Sequence, residues 1–198
     1  MKSLIRYIPV LLFFVSCSRP GDTSGKKAQQ AADSIGQSEK LVFFPVTTFL
    51  EGQIYDIKQK GVNPVRTIKQ AGGQSDSTWL PVETLNTAFS EFLKPRIDSV
   101  SMVPWFSEKT FLDETIGLIT MTYERKPACP DSIDLKEWTV YIDPETDRVK
   151  RIYMVKQRGA VMLQLTWLSG QYSRLLEIDE SRKNGSPITK DETIHWSF

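Results

Sequence analysis

A single histidine, two cysteines and no glycine-rich phosphate loop leave this 198-residue chain short of the residues on which catalysis is most often built. Imidazole is the usual proton-transfer group at neutral pH, and the lone His195 falls on the polar phase of a C-terminal strand, where a surface place suits it better than a general base. With one His and so few thiols, zinc sites of the usual ligand number cannot be assembled within the chain. No Gly-x-Ser-x-Gly elbow occurs, and Gly72 with Gly73 reads as a turn, not a phosphate cradle. Charge of one sign is missing too: 25 basic residues face 24 acidic ones without a long run of either, which gives no reason to expect nucleic acid as a partner. The sequence thus implies no cofactor, no metal and no catalytic set.

What the chain does have begins at its amino end. Lys2 and Arg6 precede an apolar stretch from Tyr7 to Val15, far short of the ~20 residues that a permanent span needs. Phe14, Val15, Ser16 and Cys17 follow in an order that resembles the lipobox of bacterial lipoprotein signal peptides, although Phe14 stands where those signals usually carry Leu. That resemblance implies a signal peptide over residues 1–16, a diacylglyceryl group on the Cys17 sulfur, and acylation of the new amino terminus. Each buried methylene contributes roughly 0.8 kcal/mol, so such an anchor holds firmly. The alternative is an ordinary secretory peptide with Cys17 left as a thiol, which gives a cysteine just past the apolar stretch no purpose. Without Lys2 and Arg6 the formal charge passes from +1 to −1.

Residues 17–40 are the lipidated Cys17 and a Ser, Gly, Gln, Ala and Lys-rich segment too polar to offset the entropy of ordering, and they read as a flexible stalk. Residues 41–198 then form one domain. If Cys17 is acylated, only Cys129 remains, so the core rests on apolar packing, not on a disulfide. Cys129 lies between Ala128 and Pro130 on a loop and is expected to be a passive, half-buried thiol; an intermolecular disulfide is the sharper option.

Val46, Phe49, Leu50, Ile54 and Ile57 recur at helical spacing after Pro45, with Gly61 placed to close the helix. Pro64 to Ala71 and Asp76 to Leu80 flank Gly72 and Gly73 as a hairpin. A second helix is expected from Pro81, capped by Ser77 or Thr78, with Leu85, Ala88, Phe89, Phe92 and Leu93 on one face and a stop before Pro95. Pro104, Trp105 and Phe106 read as an irregular connection whose aromatics staple a loop to the core. From Leu118 the period becomes two: Ile119, Met121 and Tyr123; Trp138, Val140 and Ile142; Ile152 and Met154; Leu163, Leu165 and Trp167; then strands at Tyr172–Ile178 and around Ile194. Asp143, Glu145 and Asp147 alternate like calcium ligands but fit a hairpin turn better. The predicted class is α+β: two amphipathic helices packed on one curved, mainly antiparallel sheet of about five to seven strands.

Tyr141, Tyr153 and Val155 sit in the phase opposite Val140, Ile152 and Met154, which marks them as a partner or ligand surface unless the chain's own helices cover them. The expected role is a non-catalytic binding or scaffolding module for an envelope protein or an apolar ligand. The alternative is an envelope hydrolase in which carboxylates among Glu177, Asp179, Glu180, Asp191 and Glu192 pair across the last two strands.

Phe43, Phe44, Pro45, Val46, Phe49, Leu50, Gln53 and Ile54, a helix at Trp79, and Gln164, Leu165, Thr166 and Trp167 together resemble uncharacterised envelope lipoproteins of Bacteroidota over residues 41–180. The resemblance implies an envelope location and lends no catalytic residue. The residues after Cys17 are not acid-rich like the surface-export signal of those bacteria, and Ser18 is not the Asp that retains lipoproteins at the inner membrane. Both features point to the periplasmic face of the outer membrane.

Overall fold

Alternating side chains in the second half of the chain fold as the pattern requires, each strand returning beside the one before it. The computed structural model describes residues 42–71 and 73–196; the signal segment, Cys17, the stalk, Gly72 and Phe198 lie outside the described residues. Helix α1 is Val46–Gln59 and is followed by strands β1 (Val65–Gln70) and β2 (Ser75–Trp79). A 3-10 turn (Val82–Thr84) leads into three short helices, α2 (Leu85–Ala88), α3 (Ser90–Leu93) and α4 (Ser99–Met102). Seven strands complete the chain: β3 (Phe106–Asp113), β4 (Leu118–Arg125), β5 (Leu135–Asp143), β6 (Arg148–Arg158), β7 (Val161–Leu168), β8 (Tyr172–Asp179) and β9 (Ile188–His195).

The nine strands among the described residues belong to one open antiparallel sheet in the order β2-β1-β9-β8-β7-β6-β5-β4-β3. The meander β3 to β9 runs in sequence order, and the β1–β2 hairpin joins it through the β1–β9 pair. The sheet is therefore larger than expected from the sequence, and the helical share is smaller. One missed strand is β3, whose segment reads as an irregular connection because its far half, as an edge strand, is wet on both faces and does not alternate. The other underestimate is β9, which begins at Ile188: its inward positions Lys190 and Glu192 are ionic and give no apolar period.

The expected second helix is broken. Phe89 leaves helical geometry (φ −94°, ψ 11°) and separates α2 from α3, so that Leu85, Phe89 and Phe92 all reach the core. Ser77 and Thr78 do not cap it: both pair with β1, and Trp79 ends β2 in place of the expected helix. Lys94 is extended before Pro95, as the proline's bulk demands. At the C-terminal end of α1, Gly61 adopts φ 64°, a conformation that costs glycine little.

The helices cover the sheet face that carries Trp138, Val140, Ile152, Met154, Leu165 and Trp167. Two aromatic clusters fill the space. Tyr123 stacks on Trp138 at 4.5 Å, with Phe43 and Phe106 set edgewise against them. Phe89 meets Trp167 at 4.9 Å and Trp196 at 5.7 Å. Trp105 packs on this core and Phe106 lies within it, in keeping with a staple, although Phe106 also opens β3. The Tyr123 hydroxyl accepts a hydrogen bond from the Phe44 amide, and burial pushes its phenol far above the ordinary range.

Candidate functional site

Strand pairing sorts the remaining side chains onto the other sheet face, which none of the described helices covers. Tyr141, Tyr153 and Val155 all lie there, half-buried by their neighbours in the sheet. The simpler expectation, that the chain's own helices shield them, is not met by the described residues, because the helices occupy the opposite face. Nor is the patch purely apolar. Arg151 lies 3.9 Å above the Tyr141 ring, Tyr153 pairs with Thr139 and Thr166, and Val155 pairs with Glu137 and Gln164. Burial, then the Glu137 charge, raise the Tyr153 phenol above its ordinary value.

The register arranges this outer face in rows that cross the strands. One row runs from Trp79 through Val65, His195 and Tyr172. It continues through Leu168, Arg151, Tyr141 and Thr120 to Phe111 at the far edge. The next row is rich in hydroxyls, with Ser77, Thr67, Thr193, Thr166, Thr139 and Thr122 interrupted by Arg174 and Tyr153. Rings therefore stand beside hydroxyl groups over the width of the sheet, a pattern invisible until non-consecutive strands are paired.

At the β8–β9–β1 end the face is concave. A cavity of about 250 Å³ is lined by Thr67, Lys69, Tyr172, Arg174, Asp191, Thr193 and His195. Arg174 and Asp191 form a two-pronged pair, Nε to Oδ1 at 2.8 Å and Nη2 to Oδ2 at 2.9 Å, and hydrogen bonding to that guanidinium holds the Asp191 carboxyl below its usual range. The Tyr172 and His195 rings lie 5.3 Å apart. His195 also borders a second cavity of about 610 Å³ whose walls include Val62, Val65, Trp79 and Trp196. Trp79 is 68% exposed, and the buried Trp196 indole N–H has no acceptor among the described residues. His195 is a surface residue, as expected, but it stands where the two cavities meet.

The carboxylates considered for hydrolysis are divided between faces. Asp191 points outward to Arg174, whereas Glu192 lies on the helix side, 3.6 Å from Arg66 and 2.6 Å from Lys190. Glu177 accepts from the Thr189 hydroxyl, and Asp179 is folded into its own turn by Ser181, whose hydrogen bonds hold its carboxyl low. Glu180 is exposed at the start of the β8–β9 loop. Adjacent residues in a strand face opposite ways, so Asp191 and Glu192 cannot work on one substrate atom. The cation beside each of Asp191 and Glu192 suits an anionic, structural role.

Asp143 binds Lys150 at 3.0 Å and accepts from the Glu145 amide, so with Asp147 (φ 53°) it builds the β5–β6 turn. No group of His, Cys, Asp and Glu among the described residues is arranged to hold a metal ion. Cys129 is buried in a loop drawn together by Arg125, which donates to the carbonyls of Cys129, Pro130 and Ile133. In a soluble form beginning at Ser18, where Cys129 is the only thiol, alkylation is expected to be slow in buffer and rapid in denaturant; equal rates would mean the loop is open.

The sequence reading missed Lys156. It shares the inward phase of Ile152 and Met154, has no exposed surface, and meets the Glu91 carboxylate at 3.0 Å and the Glu91 carbonyl. Arg158 bridges the same Glu91 to Asp134. Its place in the strand alternation was the available signal.

The class defined by these features is a helix-backed antiparallel sheet with one uncovered face of rings and hydroxyls. No protein-family model, curated protein or solved structure matches the chain. None of the described helices is long and apolar enough to cross a membrane.

Proposed function

We propose that this protein is a non-catalytic binding module of the bacterial envelope, related to the Bacteroidota lipoproteins it resembles and tethered by lipid on Cys17 to the periplasmic face of the outer membrane. The observation that carries the binding role is the uncovered sheet face, on which Trp79, His195, Tyr172, Tyr141 and Phe111 share a cross-strand row. A sheet needs one buried face for stability, and here the helices supply it; rings on the second face add nothing to that core and suit a partner. Of the two partners that the sequence suggests, an envelope protein or an apolar ligand, the mixture of rings and hydroxyls suits an amphipathic one better than a purely apolar one.

The tether is supported by the positive head, the short apolar stretch and the cysteine that follows them. Mass spectrometry of the mature amino terminus is expected to find acylated Cys17, and Cys17→Ser is expected to release the protein from outer-membrane fractions. Crosslinking in intact envelopes tests the binding role: Tyr141→Ser with Tyr153→Ser is expected to remove the crosslinked partner while leaving the fold intact. A partner retained at wild-type yield refutes this face as the binding surface.

A further inference from the structure

We propose that the concave end of the uncovered face, where β2, β1, β9 and β8 lie side by side, binds an acidic saccharide through the Trp79 and Tyr172–His195 rings, the Arg174–Asp191 pair and Lys69. This deepens the binding-module reading and rests on it. Two neighbouring cavities border His195, one lined by Thr67, Arg174 and Asp191 and the other by Val65 and Trp79. Trp79, 68% exposed beside Val65, offers a flat ring at one end, and Tyr172 and His195, their planes 44° apart, offer two further ring faces. Aromatic faces are electron-rich and stack against the C–H face of a pyranose ring, while sugar hydroxyls remain free for polar partners.

Those partners lie beside the rings. The two-pronged Arg174–Asp191 pair keeps unused guanidinium donors next to unused carboxylate lone pairs, the combination that neighbouring sugar hydroxyls, each donor and acceptor, can satisfy together. Thr67 and Thr193 add hydroxyls to the same wall. Charge selects among sugars. Arg174 and Asp191 neutralise each other, and Lys69 leaves a surplus positive charge at the cavity, which complements a carboxylate-bearing sugar. The platforms lie on β2, β9 and β8, which spans three strand spacings of ~4.8 Å, enough for several consecutive sugar units. An extended peptide pairing with the free edge of β2 would leave the Tyr172 and Arg174 end empty.

Calorimetric titration of the full-length protein in detergent with tetragalacturonate, and with neutral cellotetraose of equal length, tests the proposal. Tetragalacturonate is expected to bind at least about tenfold more tightly than cellotetraose, with the preference shrinking as salt screens the Lys69 charge. Trp79→Ala is expected to weaken both sugars about tenfold, and Lys69→Gln to remove the preference for the acidic one. Lys58→Gln, an equal loss of charge on α1, is expected to change neither. Absence of tetragalacturonate binding, or binding indifferent to both Trp79→Ala and Lys69→Gln, overturns the proposal. So does a groove that takes only a strand-forming peptide. If the sugars fail while the Tyr141 and Tyr153 substitutions still abolish crosslinking, the inference falls and the binding-module reading stands.

Discussion

Truncating Phe89 to alanine is expected to destabilise the folded domain by ~3–5 kcal/mol, the range for deleting a fully buried aromatic ring. Phe89 is completely buried and is the point where the second helical segment breaks. Its ring lies edgewise on Trp167 and on Trp196, so it holds the α2–α3 segment against β7 and the end of β9 at once. Two large indoles cannot collapse into the vacated volume without dragging their strands, and the cavity term should be near its maximum. In urea the transition midpoint should fall with little change in slope, since the surface exposed on unfolding is nearly unaltered. Phe111, by contrast, is 52% exposed on the edge strand β3, and Phe111→Ala is expected to change stability by no more than ~0.5 kcal/mol. Equal costs at the two positions would contradict the packing described here.

Glu91→Ala is expected to cost about 3 kcal/mol for a different reason. It leaves the Lys156 ammonium without its carboxylate in a site from which water is excluded, and breaking one side of a buried ion pair is far more damaging than replacing both. The figure sits at the low end of the usual range because the Glu91 side chain is itself 35% exposed and partly screened. Lys156→Met should be close to neutral, because the part-exposed Glu91 carboxylate keeps Arg158 as its partner, and Glu91→Ala combined with Lys156→Met should recover most of the loss. If the double variant is no better than Glu91→Ala alone, the cost has another origin.

The same pair contributes to the acid response, beside the lowered carboxyls of Asp179 and Asp191. Burial pushes the Glu91 carboxyl up, but hydrogen bonds and charge from Arg158 and Lys156 together outweigh it and hold the group below 4.5. Such a carboxylate stabilises the fold fully above about pH 4.5 and loses that contribution as pH falls through its lowered folded value. Lys156 acts in the opposite direction: burial pulls it below 10.5, so its charge is costly at neutral pH and stability is regained as pH rises toward that value. Glu91→Gln is therefore expected to make the acid side of a stability profile followed by urea unfolding shallower, with the slope due to Asp179 and Asp191 remaining.

Helix α1 and the meander from β4 to β8 were legible because each buries one face, and a buried face imposes a period on the residues: Val46, Leu50, Ile54 and Ile57 in one case, Leu163, Leu165 and Trp167 in the other. The elements that lacked this constraint escaped. Strand β3 is an edge with its far half in water; β9 buries ions in place of hydrocarbon; and the α2–α3 segment keeps helical spacing through a break that only Phe89's contact with the two tryptophans explains. Tyr141, Tyr153 and Val155 were found by phase alone, since a residue opposite a core residue in a strand must face away from it. The Trp79, His195 and Tyr172 groove was not, because its residues are far apart in sequence and no local pattern links them.

Read by itself, the chain determined most of the apolar core, which strands would meander and which covalent anchor to expect, since all three are written in local composition and period; the burial of Lys156 and Glu192 was not among them. Only the tertiary structure decided that β1 would pair with β9, since that choice depends on contacts between distant segments competing for one sheet edge. That pairing brings Val65 between Trp79 and His195 and so assembles the groove.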